Sequence, residues 1–362
     1  MQFRCVAIAS DIGLHEEGVS TIEFAASSDP PLRVELRDER GRGRLEMYCE
    51  VVADIEPKPK IVGAFESLAA GRLPAGSTPA DKWSKPLAQL DPSGEIRGPL
   101  RSVPMDYMPP AFQDFVARIQ RDLPRAGNRA MELLRWRSGE LGPQRPFTSG
   151  WDVTWSFGDG EWRDFPGSTG LALDYTRLLR ITRNAYEDLQ RLFAEDHTEP
   201  FAYEGLREAW ALRGANPRTS LLIAITALEV AVKQYIADRV EPATWLVNNS
   251  PSPDVIRLLR EYLPTLEPPL GALSGASKLD VIPADLLELL RKRRDQRNEV
   301  IHQPEAHVNP KRRVTSERAS SAVLAVHQVL RRFDIADGHA WARDYLREPP
   351  YAAPPGGYLR VR

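Results

Sequence analysis

The chain reads as an α+β protein: a β-rich N-terminal half with helical insertions, followed by an all-helical half. Three observations predict this. Over the first fifty positions apolar and polar residues alternate, the mark of strands with one buried face. Beyond Pro166 the apolar spacing changes to three and four, the helical period. Between them, residues 72–110 are crowded with Pro, Gly and Ser and read as long loops. A length of 362 residues is long for one core and comfortable for two.

In the first half, Phe3, Cys5 and Ala7, then Ile22 and Phe24, then Val34 and Leu36, then Leu45, Met47 and Cys49 mark successive strands. Asp29-Pro30-Pro31 and Gly41-Arg42-Gly43 fall between them as turns. Trp151, Val153, Trp155 and Phe157 give a late strand, closed by Gly158-Asp159-Gly160. One or two helices are expected, around Ala111–Gln120 and Ala130–Trp136. Residues 1–165 are therefore assigned to a β-rich domain, in which no chemical motif stands out.

The second domain is assigned to residues 166–348. Leu173, Leu178, Ile181, Leu189 and Leu192 share one helical face. Asn216 followed by Pro217 has the form of a cap with proline in the first turn. It opens a strong helix carrying Leu222, Ile225, Val232 and Ile236. Ser252-Pro253, Pro283 and Thr315 open three more, the last with Val323, Val326, Leu330 and Phe333. This predicts a bundle of about six helices with short connections. The tail 349–362, rich in Pro and Gly, is expected to be disordered.

Composition is that of an ordinary globular protein, with 42% hydrophobic and 27% charged residues. A net charge of −2 gives no global attraction to nucleic acid, so any such binding needs a local patch. Cys5 and Cys49, the only cysteines, suit a reducing compartment. The apolar run Cys5 to Ala9 is too short for a signal peptide, and no stretch of about 18 apolar residues is apparent. A cytoplasmic protein without a membrane span is expected. His15, His197 and His327 lack metal-ligand spacing, and there is no P-loop, dinucleotide glycine pattern or G-x-S-x-G. Neither a metal nor a cofactor is expected.

The chemistry-bearing segment is Arg297-Asn298-Glu299-Val300-Ile301-His302, at the end of a helix that Pro304 stops. Arg holds a phosphodiester and His moves protons near neutral pH. An Arg followed loosely by His also occurs at Arg191…His197 and Arg332…His339. Requiring Asn directly after Arg leaves only Arg297-Asn298…His302, a pattern expected by accident in roughly one chain in a hundred of this composition. At about 100° per residue, Asn298 and His302 share a helix face. Arg297 falls instead in the row Leu286, Leu290, Ile301, the apolar stripe of its helix. Glu229 likewise interrupts the row Leu222, Ile225, Val232, Ile236. A charge on a packing stripe is costly unless paired, so Glu229 and Arg297 are expected to meet. Around the motif, Arg291, Lys292, Arg293 and Arg294, with Lys311, Arg312 and Arg313 beyond, form the densest basic cluster. Beside a phosphate-handling site such a run suits an RNA backbone.

This segment resembles the signature of HEPN domains, a helical family rich in metal-independent ribonucleases: an Arg, then four to six residues of which the first is polar, then a His. The setting matches too: Leu286-Leu287-Glu288-Leu289-Leu290 leads in, a proline leads out and one helix follows. The resemblance covers about half the chain, residues 200–335 best. It implies an endoribonuclease acting as a toxin or antiviral-defence effector, with RNA as substrate and a homodimer whose motif helices face each other across a cleft. Arg297, Asn298 and His302 would be catalytic and Glu229 supporting. The β-rich half would sense a trigger or choose the target, with an antitoxin or regulatory protein as a further partner. Alternatives are a non-catalytic HEPN module binding RNA, nucleotide or protein, and a structural dimerisation domain.

Overall fold

The computed structural model describes residues 1–9, 21–26, 31–41, 44–78, 95–96, 99–100, 103–139, 141, 150–166, 183–240, 254–266, 282–302 and 313–347; at 9, 26, 38–41, 44–46, 183–184 and 302 it describes the backbone alone. The fold is α+β, and it divides into two compact units. The first comprises 1–134 and 145–198, the second 135–144 and 199–362.

The first unit is built on a six-stranded antiparallel sheet in the order β2-β3-β4-β1-β5-β6. Its strands are β1 (Gln2–Ala9), β2 (Thr21–Ala26), β3 (Leu32–Gly41), β4 (Arg44–Asp54), β5 (Asp152–Ser156) and β6 (Arg163–Asp164). Register puts the alternating apolar residues on one face: Phe3 opposite Ala53, Cys5 opposite Val51, Val34 opposite Val51 and Ile22 opposite Leu36. All of these are buried. Phe3 packs against Phe65 and Phe115, both from helices, and against Phe165, which follows β6, so aromatic rings seal the apolar face. The opposite face is polar and cross-paired, with Arg37 donating to Glu50 at 2.7 Å and Arg4 stacked over Trp162. One-sided burial is what the period of two encodes.

Three helices complete this unit. α1 (Pro59–Ala69) was not foreseen, although Ile61, Ala64, Phe65 and Leu68 are buried at helical spacing behind a proline in the first turn. α2 (Pro110–Arg137) is a single continuous helix, the first of the two alternatives expected here, and it also spans 121–129. Pro124 removes one backbone donor, but the buried face runs on through Phe112, Val116, Ile119, Leu123 and Ala130 and carries the helix past it. α3 (Arg183–Ala194) falls in the half expected to be a separate bundle, yet it packs on β2 through Phe24 and Phe193. Its C-terminal end is held by Arg129, whose Nε and Nη2 donate to the carbonyls of His197 and Phe193 at 2.8 Å each. The turns expected at 29–30 and 42–43, the periodic residues Leu173, Leu178 and Ile181, Ser252-Pro253 and the tail lie outside the described residues.

The second unit is helical: α4 (Phe201–Leu212), α5 (Pro217–Arg239), α6 (Val255–Arg257, prolonged by a π turn Leu258–Tyr262), α7 (Ala284–His302), α8 (Ser316–Ala336) and α9 (Asp344–Arg347). Asn216 caps α5 by accepting from the Thr219 amide. Contrary to the expectation that no segment is apolar enough, α5 is long and apolar enough to span a membrane by length and composition. It owes that character to packing. α4, α7 and α8 all contact it, and Leu221, Ala224, Ile225, Leu228 and Val232 are fully or almost fully buried.

Between α4 and α8 lies a buried polar network. Asp334 Oδ2 accepts from Tyr203 OH at 2.5 Å, Trp136 Nε1 at 3.1 Å and Arg331 Nη1 at 3.0 Å. Arg331 Nε in turn donates to His327 Nε2 at 3.2 Å, which requires that nitrogen to be unprotonated. Burial, then the charges of Arg331 and Arg207, hold the His327 pKa well below its usual value, whereas burial lifts that of Asp334 to about 6. The signs differ. His327 contributes stability that is present above its unfolded pKa of 6.5 and is lost as the pH falls, while Asp334 favours the fold on acidification. Gln at 327 accepts the Arg331 hydrogen bond without titrating. Relative to His327→Gln, the parent is therefore expected to lose melting temperature as the pH drops from 7 to 5. Parallel pH profiles for the two proteins would show that His327 is not held neutral.

Candidate functional site

α7 places the motif. Its buried side is formed by Leu286, Leu290, Gln296 and Val300. Here the expectation needs correction: Val300, not Ile301, completes the apolar stripe, and Ile301 is 51% exposed. The cause is the helix period. Steps of four and three from Leu286 reach 290, 293, 297 and 300, so Ile301 has rotated off the face.

Arg297 lies on that inner side and Nη2 donates to Glu229 Oε1, so the charges that interrupt two apolar stripes do meet. Their side chains keep 17% and 24% exposure, which makes the pair half-buried rather than sealed. Arg297 Nε is buried without an acceptor among the described residues. Asn298 is exposed, and position 302 falls near Asn298 and Ile301 on the outer side of the helix.

A third residue grips the same helix and was not foreseen. Arg218, in the first turn of α5, reaches across and donates through Nη2 to the Val300 carbonyl at 2.6 Å. That carbonyl belongs to the last turn of α7, where a helix lacks internal donors and its dipole favours a cation. Arg218 and Glu229 are eleven residues apart, three helical turns, and so share one face of α5. One holds the backbone of the motif and the other its arginine. The sequence signal was faint: a cation beside an N-cap, where the dipole opposes it.

The basic cluster is not uniform. Arg291 pairs with Glu288 at 2.8 Å and Asp295 at 3.0 Å, and Lys292 lies 3.6 Å from Glu288. The Arg291 hydrogen bonds pull the Glu288 pKa down to about 2 and push that of Arg291 up. Arg294 is bound by Asp254 and Asp295; burial would lower its pKa, and those hydrogen bonds outweigh it. Arg293 has only neutral partners, Ser321 Oγ at 3.0 Å and Gln296 Oε1 at 3.2 Å. Arg313 is exposed, and Lys311 and Arg312 lie outside the described residues.

The first unit offers a groove along α2 of about 710 Å³, lined in part by Arg121, Arg125 and Arg129 with Asp122, Glu132 and Asp196. Its charges balance, and Arg129 is already spent on α3 and on Asp196 at 2.6 Å. Searches with the whole chain find no match among family models, curated proteins or solved structures.

Removing Glu229 would strand a half-buried guanidinium. Glu229→Ala is expected to destabilise the chain by about 1–3 kcal/mol, below the range for a sealed pair. Glu229→Gln, which retains an acceptor, should recover part of that loss. Chemical denaturation reads both, and an unchanged midpoint for Glu229→Ala would show that the pair adds nothing to the fold.

Proposed function

We propose that the second unit is a HEPN-type bundle and that the chain is a metal-independent endoribonuclease, serving as a toxin or antiviral-defence effector in the cytoplasm. The observation that carries this reading is Arg297-Asn298-x-x-x-His302 closing α7, with Glu229 and Arg218 fixing its arginine and its last turn. In the reaction the ribose 2′-hydroxyl of RNA bonds to the adjacent phosphorus and the 5′-oxygen leaves. A 2′,3′-cyclic phosphate and a 5′-hydroxyl result. His302 takes the proton from the 2′-hydroxyl or delivers one to the leaving oxygen. Arg297 stabilises the charge on the phosphorane oxygens, and Asn298 orients one of the two. The first unit would sense a trigger or select the target, and a regulatory protein would keep the activity silent.

Helix geometry supports a shared site. Arg297 and His302 diverge by about 140° on one helix. Two antiparallel copies set the Asn298–His302 face of one subunit against that of the other and would cover the exposed Ile301.

A second reading has one observation in its favour. Arg297 is already engaged by Glu229, as a structural pair in a non-catalytic binding or dimerisation module would be.

Digestion of RNA in EDTA separates the two. The parent is expected to cleave and His302→Ala to lose at least about a hundredfold in rate, with an unchanged fold. Undiminished cleavage by His302→Ala, or strict dependence on Mg²⁺, would overturn the mechanism. In the dimer, mixing inactive Arg297→Ala and His302→Ala subunits should restore part of the activity. A strictly monomeric active enzyme would refute the shared site.

A further inference from the structure

Among the basic side chains at the α7–α8 seam, the Arg293 and Arg318 guanidinium groups form no ion pair with a carboxylate among the described residues. Arg293 bonds to Ser321 Oγ and Gln296 Oε1, both neutral. Arg318, in the first turn of α8, donates through Nη1 to the Arg313 carbonyl at 2.8 Å, also neutral. Neither forms an ion pair with an acid among the described residues, Glu317 included. Ser321 ties the two together, accepting from Arg293 Nε and donating to the Arg318 carbonyl at 3.0 Å. The opening of a 21-residue helix, capped by Thr315, adds its positive end at this place. Burial, followed by the nearby charge of Arg318, lowers the Arg293 pKa. Two like charges are thus held close together, one of them half-buried, where a carboxylate between them would be favourable and none is present. The neighbouring Arg291, Lys292 and Arg294, by contrast, are each paired with an acid.

We propose that Arg293 and Arg318, with Ser321 between them, form a phosphate-binding site that holds the RNA backbone one helical turn from Arg297. The proposal rests on the nuclease reading for its ligand and adds to it a specific seat for a phosphate next to the scissile one. The fork of Arg293 takes two phosphate oxygens, and Arg318 supplies the second cation. The RNA track would then run along the α7–α8 seam, and not along the outer ridge of Arg291 and Lys292.

The test uses full-length protein carrying His302→Ala, so that RNA stays intact, and a fluorescent single-stranded RNA titrated across a salt series. Adding Arg293→Ala or Arg318→Ala is expected to weaken binding by about five- to tenfold and to reduce the salt slope by about one each. Arg291→Ala, equal in net charge change, should weaken it less than threefold. Arg293→Lys keeps the charge, loses the fork and should fall between. Equal losses at 291, 293 and 318 overturn the seat, since diffuse attraction then explains the binding. If the chain neither cleaves nor binds RNA, the nuclease reading and RNA as the ligand both fall. Sulfate then decides the anion site itself. A melting temperature raised by sulfate over chloride at matched ionic strength, with the rise lost in both Arg293→Ala and Arg318→Ala, keeps it; no such rise removes it.

Discussion

The ion pair between Glu229 and Arg297 is the constraint on which the second unit depends. It sits where α5, a long apolar helix, meets α7, a highly charged one. An apolar α5 alone would pack α7 in several rotations, because Leu286, Leu290 and Val300 offer a narrow stripe. One acid opposite one arginine admits a single rotation. That rotation turns Asn298 and Ile301 outward and Val300 inward. Arg218 then fixes the same helix along its axis by holding the Val300 carbonyl. Both contacts come from one face of α5, so the best-packed helix of the unit sets the position of the motif. A residue that acts by chemistry at the end of α7 needs such a frame, since a displacement of an ångström weakens catalysis far more than it weakens a fold.

What the sequence revealed and what it hid follow from the range of the forces involved. The strands were legible because a sheet with one buried face forces strict alternation, and Phe3, Cys5, Val34, Leu36 and Cys49 obey it. The meeting of Glu229 and Arg297 was legible because a charge on an apolar stripe demands a partner, and the second half holds another such charge. α1 was hidden by its shortness: eleven residues give too few periods to stand out from the strand before it. The sequence left open whether α2 is one helix or two, because Pro124 carries a local penalty that only the long apolar face, once packed, outweighs. The network around Asp334 was legible only in part. His327, Arg331 and Asp334 share one face of α8 at spacings of four and three, but Trp136 and Tyr203 come from distant segments, and nothing in the sequence brings them to that face.

The distribution of charge bears on function more than its sum. A net charge of −2 repels a polyanion slightly at long range, so association cannot rely on steering. Local sites must act alone, and most arginines here are taken. Arg207 is buried against Glu199, Arg331 against Asp334, Arg129 caps α3, and Arg291 and Arg294 are bound by acids. Each of these would have to break an ion pair before taking up a phosphate, which cancels much of the gain. Arg293 and Arg318 carry no such penalty, and Arg297 carries a partial one. Glu229 holds that side chain in place through Nη2, Nε is buried, and the side chain as a whole keeps 17% exposure. A carboxylate that orients an arginine without covering it lowers the entropy lost on binding. The same contact can therefore serve the fold and the site, and the half-exposure of both partners is the feature that permits it.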